Sequence, residues 1–280
     1  MSKHSLILCA DDYALSPGVT RGILDALAMG RLNATCAMTN RPLWREAASD
    51  VAAFSDRADI GLHLTLTFGA PLGPMPKLAP SGELPKLRPL LKAARAGTLP
   101  VDEIRAEIGR QLDAFQEAMG RAPDFIDGHQ HVHILPGVRD VLLDELVRRG
   151  LWGRLWLRDS ADRLPRILAR GVELSKAIVV AALARGFAAR AHRLGFQTNE
   201  GFAGFSAFDP RRNYGRDFSR YLAMPGARHL VMCHPGYLDD DPDAGDEVRE
   251  PRARELEFLL SDRFIHTLES ARFSLRRWSK

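Results

Sequence analysis

Short apolar runs of strand length alternate with segments of helical periodicity along almost the whole chain, and few folds accommodate that order. The runs lie at residues 6–10, 35–39, 59–66, 125–128, 155–158 and 229–233. Helix-period segments follow at 17–30, 43–54, 101–119, 137–149 and 166–194. The first opens with Pro17 and closes with Gly30, and the last is expected to break near Gly186. A further helix is predicted at about 252–260, after an acidic loop ending near Glu250. Repeated strand-then-helix units in 280 residues predict an α/β fold with a parallel, barrel-like sheet related to the TIM barrel. One domain spanning 1–280 is expected, with a helical insertion around 165–195. Residues 69–85 are rich in Pro and Gly and too long for a simple connection, so an active-site loop is expected there. The polar, Gly-rich run 197–216 yields no clear element.

Composition narrows the function classes. The net charge of +4 is modest, and the basic residues are scattered without interleaved aromatics, which argues against nucleic acid as a partner. Cys9, Cys36 and Cys233 form no CxxC pair and sit in apolar runs, as buried free thiols of a reducing compartment would. The first apolar run ends in acids, unlike a signal peptide, and residues 177–184 are too few to span a bilayer, for which about 20 are needed. A cytoplasmic protein without a transmembrane segment is the expectation. The apolar stretch 178–187 is expected to pack in the core or at the interface of a homodimer.

Chemistry collects where the strands end. The first run leads into the adjacent acids Asp11 and Asp12, which repel each other and require compensation. In the third, Gly61, His63 and Thr65 alternate with Leu62, Leu64 and Leu66, so a small polar face opposes a leucine face. The fourth reads FIDGHQHVH and puts Asp127, His129, His131 and His133 on one parity while it stays extended. The last closes on Cys233-His234-Pro235-Gly236. Ligand sites in parallel α/β folds lie beyond the carboxyl ends of the strands. Taken alone, His63 reads as a hydrogen-bonded core histidine and the acid pair as a helix cap beside a solvated carboxylate. Their shared placement instead predicts a site. One carboxylate with two imidazoles suits Zn²⁺, Mn²⁺, Co²⁺, Ni²⁺ or Fe²⁺, and Mg²⁺ with added waters. A neighbouring carboxylate would serve as general base and a separate histidine as general acid.

At these residues the chain resembles the YdjC-like carbohydrate deacetylases. The matching pieces are ADDYALSPGV, GLHLTLTFGAPL, DFIDGHQHVHILP and VMCHPGY followed by PRARELEFL, in order from about residue 5 to 260, with Tyr13 where the family usually has Phe. The resemblance implies a (β/α) barrel-like domain and hydrolysis of an N-acetyl group on a sugar, giving acetate and a free amine. It assigns one divalent ion, Mg²⁺ or Zn²⁺ first, to Asp12, His63 and His129. Asp11 becomes the base and His234 the acid. Asp127 would orient a site histidine, Arg158 would contact Asp11 or substrate, and His131 and His133 would support the site from behind. Some relatives associated with hopanoid lipids share the pattern, so the acetylated carbohydrate is chitooligosaccharide-like or glycolipid-linked. Two other classes stand beside this reading. A metal-dependent phosphoesterase would want more carboxylates and basic groups, and a non-catalytic sugar- or metal-binding protein would not need both Asp11 and Asp12.

Overall fold

A computed structural model of the protein describes residues 3–238, 246 and 248–278. Most of the expected acidic loop before Glu250 lies outside the described residues. The strands are β1 (His4–Tyr13), β2 (Ala34–Ala37), β3 (Asp59–Leu64), β4 (Phe125–Gly128), β5 (Trp156–Leu157), β6 (Gln197–Thr198), β7 (Phe202–Ala203), β8 (His229–Cys233) and β9 (Phe273–Leu275). The helices are α1 (Pro17–Ala28), α2 (Trp44–Ala52), α3 (Leu87–Ala96), α4 (Val101–Met119), α5 (Val138–Arg148), α6 (Leu164–Arg170), α7 (Leu174–Leu183), α8 (Phe187–Arg193), α9 (Tyr214–Tyr221), α10 (Arg249–Leu260) and α11 (Asp262–Ser270). No helix among the described residues is long and apolar enough to cross a membrane.

Every strand pair runs parallel, in the order β6-β5-β4-β3-β2-β1-β8-β7, with β9 beside the start of β1. The first strand therefore pairs with the late strand β8, as barrel closure requires. The circuit is completed by a single run, 197–203, whose β6 end bonds to β5 and whose β7 end bonds to β8. This is the TIM-barrel-like α/β fold that the alternating pattern predicts.

Side-chain alternation sorts the wall into two faces. Leu6, Leu8, Ile60, Leu62, Leu64, Ile126 and Val231 pack with the surrounding helices. Ile7, Cys9, Ala34, Cys36, Phe125, Trp156, Leu230 and Met232 form a separate cluster on the inner face. There Phe125 stacks on Trp156 at 4.2 Å, and Trp156 stacks on Trp278 at 5.1 Å, so aromatic rings plug the lower barrel. Gly61 makes room for them, because a Cβ at that position would lie 2.6 Å from the Phe125 ring.

Several boundaries differ from the sequence reading. Helix α3 follows the 69–85 loop unannounced, because Pro89 sits inside its first turn and only Leu90 and Ala94 are buried. The 165–195 insertion is three short helices, broken at Gly171 and Gly186, both left-handed. Residues 197–216 hold β6, β7 and the start of α9. Gly61→Ala is expected to destabilise the protein by about 1–3 kcal/mol, as overpacking of a filled core does. Urea unfolding measures this, and an unchanged midpoint would show that Phe125 can move aside.

Candidate active site

The mouth of the barrel is built from the ends of β1, β3, β4, β5 and β8. The adjacent acids cannot both face inward on a regular strand, since neighbours alternate. Asp11 shares the inward parity of Ile7 and Cys9. Asp12 would point into the helix layer, but β1 does not stop at Ala10 as the sequence reading has it. It continues to Tyr13 with one extra residue, its partners on β2 stepping from Ala10↔Thr35 to Tyr13↔Ala37. Within this bulge Asp12 adopts a left-handed φ of 71°, which aspartate tolerates better than most residues. The bulge turns the second carboxylate toward the same centre as the first.

Asp12 Oδ1 lies 3.2 Å from His63 Nε2 and 3.0 Å from His129 Nδ1. These three atoms come together from β1, β3 and the end of β4 and could hold a metal ion. The other ring nitrogen of His63 meets Asp127 Oδ1 at 2.7 Å. Burial opposes a charge on His63, but the Asp127 carboxylate and the hydrogen bonds to Asp12 and Asp127 outweigh it and push the pKa up to about 10. Asp12 Oδ2 accepts a hydrogen bond from Arg252 Nη2 at 2.7 Å, and Arg252 Nε donates to Asp246 Oδ2 at 2.6 Å. Against the cost of burial, Arg252 and then His129 hold the Asp12 carboxyl well below its usual range.

Asp11 is anchored separately. Arg158, wholly buried, donates from Nη1 to Asp11 Oδ2 at 2.7 Å and from Nη2 to Oδ1 at 2.6 Å, while Nη2 also lies 2.5 Å from Asp127 Oδ2. Burial would raise the Asp11 carboxyl, but the Arg158 charge and hydrogen bonds keep it well below its ordinary value. Cys9, Asp11, Cys36 and Asp127 also approach one another closely. Arg158 Nη2 already sits among them, 3.1 Å from Cys9 Sγ, so that pocket holds a cation of the chain's own. His234 stands across from Asp11, Nε2 to Oδ2 3.9 Å, with its backbone N–H donating to Glu255 Oε2 at 2.6 Å. Burial pushes His234 down to about 4 and Glu255 up to about 7.

The expected common parity of His129, His131 and His133 does not hold. The segment after β4 turns into a 3-10 stretch, His129–Ile134, with Gln130 and His131 left-handed, and the three rings diverge. His131 lies between Phe202 and Phe205 and meets Ser160 Oγ at 3.2 Å. His133 Nε2 donates to the Arg158 carbonyl at 2.9 Å, steadying the strand end that presents the guanidinium. Two aromatic rings flank the centre, Phe68 against His129 at 5.9 Å and Phe208 against His234 at 5.2 Å. Arg252, Asp246 and Glu255 are the members that sequence reasoning left without roles. Their signal was present on α10, where Arg252 and Glu255 share the buried stripe of Leu256 and Leu259.

The chain matches a family described as YdjC-like protein over residues 5–270. It is 40% identical over 149 residues to a chitooligosaccharide deacetylase of Enterobacter sp. (strain 638), an alignment covering 52% of this chain and 57% of that one. It is 30% identical over 276 residues to a chitooligosaccharide deacetylase of Escherichia fergusonii, covering 92% of each. A carbohydrate deacetylase of Homo sapiens is 30% identical over 266 residues, covering 87% of this chain and 78% of that one. Among solved structures, a putative cellobiose-phosphate cleavage protein from Enterococcus faecalis superposes with a TM-score of 0.76 at 22% identity, over 99% of this chain and 98% of that one. That likeness bears on the fold.

Two outcomes are expected from the electrostatics. Arg158→Met strands two buried carboxylates and should cost about 3–5 kcal/mol in urea unfolding, with Arg158→Lys a poor rescue because it lacks the planar fork. His229, at the start of β8, donates from Nε2 to the Tyr221 carbonyl at 2.8 Å, and burial, aided by Arg170, lowers its pKa to about 4. As pH falls from about 6.5 toward 4, the unfolded chain binds a proton that the folded one refuses. Stability therefore drops by about 1.4 kcal/mol per pH unit for this residue. His229→Gln should remove that share of the slope, and a slope equal to wild type in denaturant titrations would contradict the assignment.

Proposed function

This chain belongs to the YdjC-like protein family, and on that footing we propose that it is a metal-dependent hydrolase removing the acetyl group from an N-acetylated sugar. The observation that carries the reading is the meeting of Asp12 Oδ1, His63 Nε2 and His129 Nδ1 beside a separately anchored carboxylate, Asp11. The relatives named as chitooligosaccharide and carbohydrate deacetylases support the substrate class. The acetylated sugar is chitooligosaccharide-like or glycolipid-linked.

The donor set fits a single divalent cation. It mixes one carboxylate with two imidazoles, and Asp127 holds the outer nitrogen of His63, the support that metal-binding histidines ordinarily have. Arg252 occupies Asp12 Oδ2 and leaves Oδ1 facing the two histidines. Mg²⁺ or Zn²⁺ is the first choice, and Mn²⁺, Co²⁺ and Ni²⁺ suit the same donors. Such an ion would polarise the acetyl carbonyl and acidify a water.

The remaining steps fall to the chain. Arg158 keeps Asp11 ionised and aimed, so Asp11 is ready to take a proton from the attacking water. Held so far below the usual carboxylate range, it suits a strongly acidified donor rather than bulk water. His234 is neutral in the resting site, because burial disfavours its charged form. It receives the proton that Asp11 has taken and delivers it to the departing amine, leaving acetate and a free amine. Phe68 and Phe208 pack edge-on against His129 and His234 and limit the directions those rings can take.

Acetate release from N-acetylglucosamine oligomers tests this reading. Chelation should abolish it and added divalent ion should restore it. Asp11→Asn should lower it by about 10²–10⁴-fold, with metal affinity by calorimetry close to wild type. Undiminished release by that variant would remove Asp11 from the mechanism.

A further inference from the structure

The expectation that the apolar stretch 178–187 packs in the core or at a dimer interface holds for its end, where Ala184 and Phe187 are core residues. Helix α7 before it is largely exposed. Its sequence is LSKAIVVAAL, yet Ala177 is its only buried residue. Leu174, Ile178 and Val179 are 36–50% exposed, and Leu164 and Leu168 on the adjoining α6 are each 53% exposed. Single exposed leucines need no explanation, but five large apolar side chains on two consecutive surface helices do.

Charge is concentrated on the same segment. From Leu164 to Arg193, six Arg and Lys stand against one acid, Glu173, a net of +5 where the whole chain nets +4. The remainder is therefore slightly acidic. Lys176, Arg185 and Arg193 are exposed, as is Arg163 just before α6. Arg166 and Arg170 pair with Asp162 and Arg190 with Asp140, while the exposed Lys176, Arg185 and Arg193 lie along the same segment as the apolar side chains, the composition of a surface that lies on an anionic bilayer. A second copy of the chain would bring the same positive charge to the contact, which disfavours it as the occupant.

The segment is also tied to the barrel mouth. Ile167 and Ala177 pack into the cluster that contains Phe202 and Phe205, against which His131 lies. Lys176 Nζ donates to the Ser206 carbonyl at 2.8 Å and sits 5.5 Å from the ring of Phe208, the residue that covers His234. We propose that α6 and α7 form a docking face for anionic membrane surface, lying on the bilayer beside the mouth of the site.

Vesicle co-sedimentation of the full-length protein tests the proposal without substrate, so its outcome is independent of the deacetylase reading. Vesicles of phosphatidylcholine with equimolar phosphatidylglycerol should retain the protein, and phosphatidylcholine alone should not. Introducing acids at Ile178 and Val179, as the pair Ile178→Glu and Val179→Glu, should abolish retention while thermal unfolding stays at the wild-type temperature. Removing one exposed cation, as in Arg185→Gln, should weaken partitioning about fivefold, and high salt should weaken it further. Failure to bind anionic vesicles, or binding unaffected by the double substitution, would overturn the proposal. So would a concentration-dependent dimer, seen by light scattering, that the double substitution dissolves.

Discussion

One guanidinium inside the barrel sets the terms for everything around it. Arg158 bridges Asp11 and Asp127, and from Asp127 the alternation of sign continues through His63, Asp12 and Arg252 to Asp246. Buried charges are costly unless each has a partner, and a pair broken on one side leaves an uncompensated ion. Removing the charge of one member therefore shifts the balance at its immediate partners. The aromatic plug beneath and the thiols of Cys9 and Cys36 beside it keep water away and the local dielectric low, which strengthens each attraction. The same surroundings explain why His131, His133 and His234, without an equal share of carboxylate, are pushed toward neutrality while His63 is pushed toward charge.

What could be read from the sequence was whatever obeys simple periodicity. Gly61, His63 and Thr65 fall opposite the leucines of β3 because that strand is regular, and the parallel α/β class follows from the order of such runs. The direction of Asp12 could not be read, because a one-residue bulge and a left-handed φ override alternation. Nor could the divergence of His129, His131 and His133, whose segment leaves the extended conformation one residue beyond β4. Arg252 escaped notice because arginine on a helix usually faces water, and only its place on the buried stripe of α10 marks it as internal. The insertion misled in the opposite sense. An apolar run of helical length is ordinarily core, yet here only its end, Ala184 and Phe187, is, and most of α7 is exposed.

These exceptions gather around the reaction centre and the helices beside it. A bulge, a tight 3-10 turn and an exposed apolar helix each run against the local preference of the sequence, and each changes where a side chain or a surface points. The regular parts of β1, β3 and β8 supply a stiff frame. The irregular parts aim the chemistry.

The run 197–203 has a mechanical meaning. The ladder of the sheet is open between β6 and β7, so the ring is joined there by the chain itself and not by strand pairing. β6 and β7 are two residues each, one bonded to either neighbour. β1 is held by both β2 and β8 along longer registers. The seam lies between β5, which leads into Arg158, and β8, which leads into His234. Substitutions in this run would therefore bear on Arg158 and His234 before they reach Asp12 and His63, whose strands are joined through β2.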